Sequence, residues 1–88
     1  MFTYIGKTGV DETFQEDFKE TIPCVHCGEE ARIAFVAAED YPNNDEYVCN
    51  LYQNHFGDGG DFWPHDAVAV AIYFCTKCAE ATAIYNQA

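Results

Sequence analysis

The residues best equipped for chemistry are four cysteines in two pairs, Cys24-Val-His-Cys27-Gly28 and Cys75-Thr-Lys-Cys78-Ala79. Two residues between cysteines let both sulfurs point at one place from a tight turn. Backbone N–H groups in such a turn can face the thiolates and stabilise their charge. Two of these turns brought together supply four sulfurs in a tetrahedron, a set that suits zinc. Small zinc peptides gain about 10–16 kcal/mol from the metal near neutral pH. That can match or exceed the whole stability of a small domain, so the expectation is one structural zinc ion that decides whether the chain folds.

Other chemistries compete for the same residues. Iron in place of zinc makes an electron carrier, which an acidic surface suits. The Cys24-Val-His-Cys27 unit has His26 where some thiol oxidants carry a histidine, but such dithiols need a strand-to-helix turn. Two disulfides or four buried thiols are the plainest alternative. Cys49, the odd cysteine, reads as a small buried hydrophobe, because nothing nearby in sequence lowers its pKa. His26 reads as exposed, beside four thiolates that already complete a tetrahedron. His55, Asp58, Asp61, His65 and Asp66 are the best candidates for a second polar site, with a small metal-dependent enzyme as the function that would follow. Their spacing matches no metal pattern and lacks the bidentate Glu of a calcium loop, so a plain surface loop is preferred. Phe56, Phe62 and Trp63 read as plugs for the core, with an exposed contact patch as the alternative.

The composition narrows the function classes. The 88 residues suffice for one domain, 1–88, with little stability to spare once chain entropy is met. Apolar residues make up 49% and aromatics 16%, which argues for a packed globule. Lys and Arg number 4 against 15 Asp and Glu, a net charge of −11. The cations Lys7, Lys19, Arg32 and Lys77 are scattered, which argues against nucleic-acid binding. Anionic membranes would repel such a chain, whereas a basic protein surface would be attracted. The acids equally serve as solvated faces that keep the protein soluble. Residues 1–10 lack an export signal, and the longest apolar run, Ala67–Cys75, is too short to span a bilayer. A cytoplasmic location follows as the expectation, and there paired cysteines point to metal rather than disulfides.

The elements that must position the cysteines are mostly strands. Phe2–Ile5 reads as a short strand. Asp11–Glu20 reads as a short helix capped by Asp11, with Phe14 and Phe18 on one face. Ala31–Ala38 alternates with period two: Ile33, Phe35 and Ala37 on one side, Arg32, Ala34 and Val36 on the other. Residues 41–66 form an insertion. Within it Asp45–Phe56 reads as a helix capped by Asn44, with a strand over Tyr47–Tyr52 as the alternative. The clearest strand runs into Cys75: Val68, Val70, Ile72 and Phe74 face one way, Ala67, Ala69, Ala71 and Tyr73 the other. Such a strand suits cover on both sides. Ala81–Tyr85 reads as the returning strand.

Pro23-Cys24-Val25-His26-Cys27-Gly28 and Phe74-Cys75-Thr76-Lys77-Cys78 resemble the knuckles of the zinc-ribbon, rubredoxin-like group. The resemblance implies an antiparallel sheet with one knuckle opening a strand and another between two strands. It covers about half of the chain, since 1–22 and 41–66 have no counterpart in it. Two features depart from the group: the long stretch between the pairs, and Ala79 where many second knuckles have Gly. The expected fold is therefore a small β-rich (α+β) domain, with zinc-ribbon elements at 23–40 and 67–88 and a helical insertion at 41–66. The expected function is a non-enzymatic module that binds another protein through the insertion or a sheet edge.

Overall fold

The computed structural model describes residues 1–39, 42–50 and 67–88. The described chain is a single antiparallel sheet with one short 3₁₀ turn, Gly6–Gly9. Its strands are β1 (Phe2–Ile5), β2 (Thr21–Pro23), β3 (Glu30–Ala38), β4 (Cys49–Asn50), β5 (Val68–Cys75) and β6 (Ala81–Gln87). The spatial order is β4-β1-β3-β5-β6. β2 joins the same edge of β3 as β1: β1 pairs with Phe35–Ala38, and β2 with Glu30–Arg32. The chain leaves the sheet after Ile5 and re-enters at Thr21.

Strand β3 does not keep one alternation along its length. Its register with β5 slips between Ile33, which faces Tyr73, and Phe35, which faces Ile72. Ala34 is the extra residue of this bulge, and an extra residue reverses which side chains face inward. Ala31 and Ile33 lie on the core face before it, Val36 and Ala38 after it. Ile33 and Phe35 therefore lie on opposite faces, contrary to the strict period-two reading.

The core lies on one face of the sheet. Tyr4, Val36, Ala38, Ala69, Ala71 and Tyr73 are buried there, together with Ala31, Cys24 and Cys75. The alanines leave room beside the rings of Tyr4 and Tyr73, as close packing of a core requires. The buried side of β5 is thus its small side. On the bulky side Val68 is buried, Val70 and Ile72 are half-buried, and Phe74 is 52% exposed.

Residues 6–20 cover the core face, and they do so without the helix expected over Asp11–Glu20. Asp11 caps nothing there. The Glu12 carboxylate is buried and accepts from the backbone N–H groups of Asn43 and Asn44 at 2.7–3.0 Å. The Thr13 hydroxyl accepts from Gln15 N–H, a local turn that competes with helix. Phe14 N–H donates to the Asn86 side chain, and Phe18 N–H to Val10 O. Phe14 and Phe18 still reach the core, from coil. Gly9 lets the 3₁₀ turn lie against the sheet, since a Cβ there would meet Tyr4 Cβ at 2.7 Å and Val36 Cβ at 2.9 Å.

The described part of the insertion is not helical either. Asn44 Oδ1 accepts from Glu46 N–H, as a cap would, but the turn leads into an extended segment. Val48 N–H donates to Thr3 O, and Cys49–Asn50 pairs with Phe2–Thr3. The open edge of β1 takes up these strand-forming residues. Cys49 is half-buried beside Thr3. The readings made for 51–66, with His55, Asp58, Asp61, His65, Asp66, Phe56, Phe62 and Trp63, lie outside the described residues. Where the chain leaves β3 and enters β5, Glu39 N–H donates to Val68 O and Val68 N–H to Glu39 Oε1, each at 3.0 Å. Among the described residues, no helix is long and apolar enough to cross a membrane.

Candidate metal centre

Each cysteine pair forms the tip of a hairpin. Cys24–Cys27 lies between β2 and β3, and Cys75–Cys78 between β5 and β6. The first pair is therefore flanked by strands on both sides, because Thr21–Pro23 adds a strand that was not expected. The β3–β5 pairing sets Ala31 opposite Cys75, so both tips fall at the same end of the sheet.

The four sulfurs converge. All four Sγ atoms lie within 4.8 Å of one another. Cys24 and Cys78 sulfurs are 3.7 Å apart, Cys27 and Cys75 sulfurs 3.6 Å. Thiolates about 2.3 Å from a zinc ion at the corners of a tetrahedron are about 3.8 Å apart. The two measured cross-hairpin spacings match two edges of such a tetrahedron, and the other sulfurs lie close enough for one ion among all four. All four predicted ligands meet at one point.

The turns are built alike. In the first, Cys24 N–H donates to Glu29 O at 2.7 Å and Gly28 N–H to Cys24 O at 2.9 Å. In the second, Cys75 N–H donates to Glu80 O and Ala79 N–H to Cys75 O, both at 3.0 Å. Gly28 and Ala79 occupy the same place, and both have left-handed backbones, with φ of 79° and 60°.

The protonation of the thiols is set by burial, backbone N–H groups and the neighbouring sulfurs. Burial resists ionisation of Cys24, but backbone N–H groups of His26 and Cys27 hold its thiol down at about 6. The His26 N–H lies 3.4 Å from the Cys24 sulfur. Burial pushes Cys78 up to about 12, opposed by the Glu80 N–H and helped by the sulfurs of Cys27, Cys24 and Cys75. At Cys27 the Glu29 N–H acts downward, yet desolvation and the Cys75 sulfur leave the thiol raised. Four sulfurs in contact cannot all carry negative charge unless a cation sits among them. Cys24 and Cys75 are buried, Cys78 is half-buried, and Cys27 is exposed.

The first turn is tied to β6 by contacts that cysteine spacing does not reveal. His26 is exposed and its Nε2 lies 3.0 Å from Ala81 O. Val25 N–H donates to the hydroxyl of Thr82, a buried residue. The one signal for Thr82 in the sequence is a lone hydroxyl on the inward side of an apolar strand. Compared with family models, with curated proteins and with solved structures, the chain matches none. What the geometry supports is a small antiparallel β domain whose four clustered cysteines can hold a metal ion, compatible with a zinc-ribbon-like site.

Proposed function

We propose that Cys24, Cys27, Cys75 and Cys78 hold one structural zinc ion, in a zinc-ribbon core, and that the domain is a non-enzymatic module that binds another protein. The convergence of four sulfurs at tetrahedral spacing carries the metal half of this reading. Four thiolates fill a zinc ion's positions and leave none for a substrate, which is the arrangement of structural sites. The ion would stabilise the fold by joining two hairpins at their tips. The binding half rests on charge and on open sheet edges. A chain of net charge −11 attracts basic protein surfaces and repels anionic membranes and nucleic acid.

Metal content is the first test. The purified protein should be colourless and carry one zinc per chain by mass. Iron with intense sulfur-to-iron absorption would instead make it an electron carrier. The second test is capture from the native cell with the intact chain and a Cys75→Ser control. A specific partner held by the zinc-loaded chain supports the module. Metal-loaded chain that holds no specific partner counts against it.

A further inference from the structure

Among the described residues, β6 is an outer strand of the sheet. Cys75 N–H donates to Glu80 O and Ala88 N–H to Ala67 O, which fixes the phase of the β5–β6 ladder. Thr82, Ile84 and Asn86 direct their backbone groups to β5; Ala81, Ala83, Tyr85 and Gln87 direct theirs outward. Two of the outward carbonyls are occupied: His26 reaches Ala81 O and the Gln15 side chain reaches Gln87 O. Among the described residues, nothing bonds the outward backbone groups of Ala83 and Tyr85. The strand, Ala-Thr-Ala-Ile-Tyr-Asn-Gln, has no proline and no charge, and β5–β6 pairing runs without a bulge. Lysine, proline and bulges are the usual devices that keep such edges from pairing.

A groove runs along the core side of this edge. Phe18, Ile22, Tyr73 and Ile84 line it, and Glu16, Asp17 and one lysine, Lys19, border it. Ile84 is 39% exposed on that side, and Tyr85, which also borders the groove, is 64% exposed. A strand added beside β6 would place alternate side chains over Ile84, toward the groove.

We infer that the β6 edge accepts an extended, cationic segment of a partner protein as an added strand, with an apolar side chain in the groove and a Lys or Arg beside Glu16 and Asp17. The inference rests on the reading of the domain as a protein-binding module and names where that module binds. Main-chain bonds to Ala83 and Tyr85 supply affinity, and the groove supplies selectivity. The net charge of −11 favours a cationic segment and opposes a second copy of this chain, whose own Glu16 and Asp17 would meet the same edge.

The probe is a displayed library of random dodecapeptides, selected on the zinc-loaded protein at physiological salt. Enriched peptides should alternate apolar residues with Lys or Arg, and should shift the amide signals of 15–19 and 81–87. Ala83→Pro removes an outward N–H without touching the β5 ladder, and edge proline is tolerated. It should weaken binding about tenfold or more. The pair Glu16→Gln and Asp17→Asn should weaken it severalfold and reduce its salt dependence. If Ala83→Pro fails to fold, judged by its cobalt spectrum, peptides N-methylated at alternate amides put the same question to the unaltered protein. Peptides that bind Ala83→Pro or survive N-methylation in both phases overturn the edge and leave the module reading standing. A library without enrichment overturns the edge, and partner capture then decides the module reading separately. Self-association abolished by Ala83→Pro overturns the inference in favour of a second copy.

Discussion

The two cysteine turns reach nearly the same backbone from different sequences. Val-His fills one and Thr-Lys the other, yet the two hydrogen bonds that close each turn connect matching positions. The difference sits one residue past the second cysteine, where the left-handed conformation falls to Gly28 in one turn and to Ala79 in the other. A left-handed L-residue costs about 1–2 kcal/mol, and Gly avoids that cost. The second turn therefore holds strain that the first does not. Cys75 N–H to Glu80 O, β6 and the sulfur cluster hold it in place. The lesson is that the ligand set and the strand pairing dictate the turn, and the residue type only sets its cost.

The harshest way to break the likeness is to remove the metal. Chelation should abolish the near-ultraviolet dichroism and cooperative melting of the whole domain, since the zinc free energy of about 10–16 kcal/mol rivals the stability of any small domain. Retention of the native spectrum in a metal-free sample would end the account of both turns.

Single ligands should then separate the turns by burial. Cys75→Ser places an unpaired hydroxyl in a buried site, while Cys27→Ser changes an exposed one. The Cys75 change should prevent folding at ordinary zinc concentrations. The Cys27 change should leave a folded but weaker site, down by about 2.5–4 kcal/mol if the four ligands share the zinc free energy evenly. Equal effects, read by competition with a chromophoric chelator, would erase the distinction.

Acid should act next. The thiols of Cys27 and Cys78 lie above their usual range without metal, so both are protonated at neutral pH and must lose protons when zinc enters. Zinc binding therefore strengthens as pH rises through neutrality and weakens as it falls. The Cys24 thiol, held near 6, is already ionised at pH 7 and contributes little to that slope until the pH nears 6. Proton release measured in two buffers of different ionisation enthalpy checks the sign. A pH-independent affinity would contradict it.

The gentlest test exchanges the residues at the left-handed positions. Ala79→Gly should stabilise the domain, and Gly28→Ala should destabilise it, each by about 0.5–1 kcal/mol, the left-handed strain less the chain entropy of Gly. A Cβ at position 28 meets nothing within 4 Å, so the second change reads backbone terms without a clash. Thermal melts of the zinc-loaded proteins, at fixed metal concentration, measure both. Shifts of the same sign would show that something other than φ separates the turns.

The parts of the molecule differed in how plainly the sequence announced them. The Cys-x-x-Cys spacing is local chemistry, so all four candidate ligands were legible. So were β1 at Phe2–Ile5, the body of β3 and β5, and the return strand from Ala81, each carried by strand formers in alternation. The bulge at Ala34 was not legible, because period two counts residues and cannot see one that pairs with nothing. β2 is too short for any periodic signal. The helix expected over Asp11–Glu20 lost to distant partners: Glu12 serves Asn43 and Asn44, and Phe14 N–H serves Asn86. The described start, 45–50, of the helix expected over Asp45–Phe56 lost to the open edge of β1. Contacts of long sequence range are what local spacing leaves out.

The clasp between Glu39 and Val68 has a consequence for how this chain tolerates change. It brings the exit from β3 and the entry to β5 together at a doorway closed by two bonds of 3.0 Å. With its ends pinned in this way, the segment between them starts and finishes at one place on the sheet, whatever its length. Length changes that displace 42–50 should nonetheless be costly, because Asn43 and Asn44 satisfy the buried Glu12 carboxylate and Cys49–Asn50 extends the sheet beside β1.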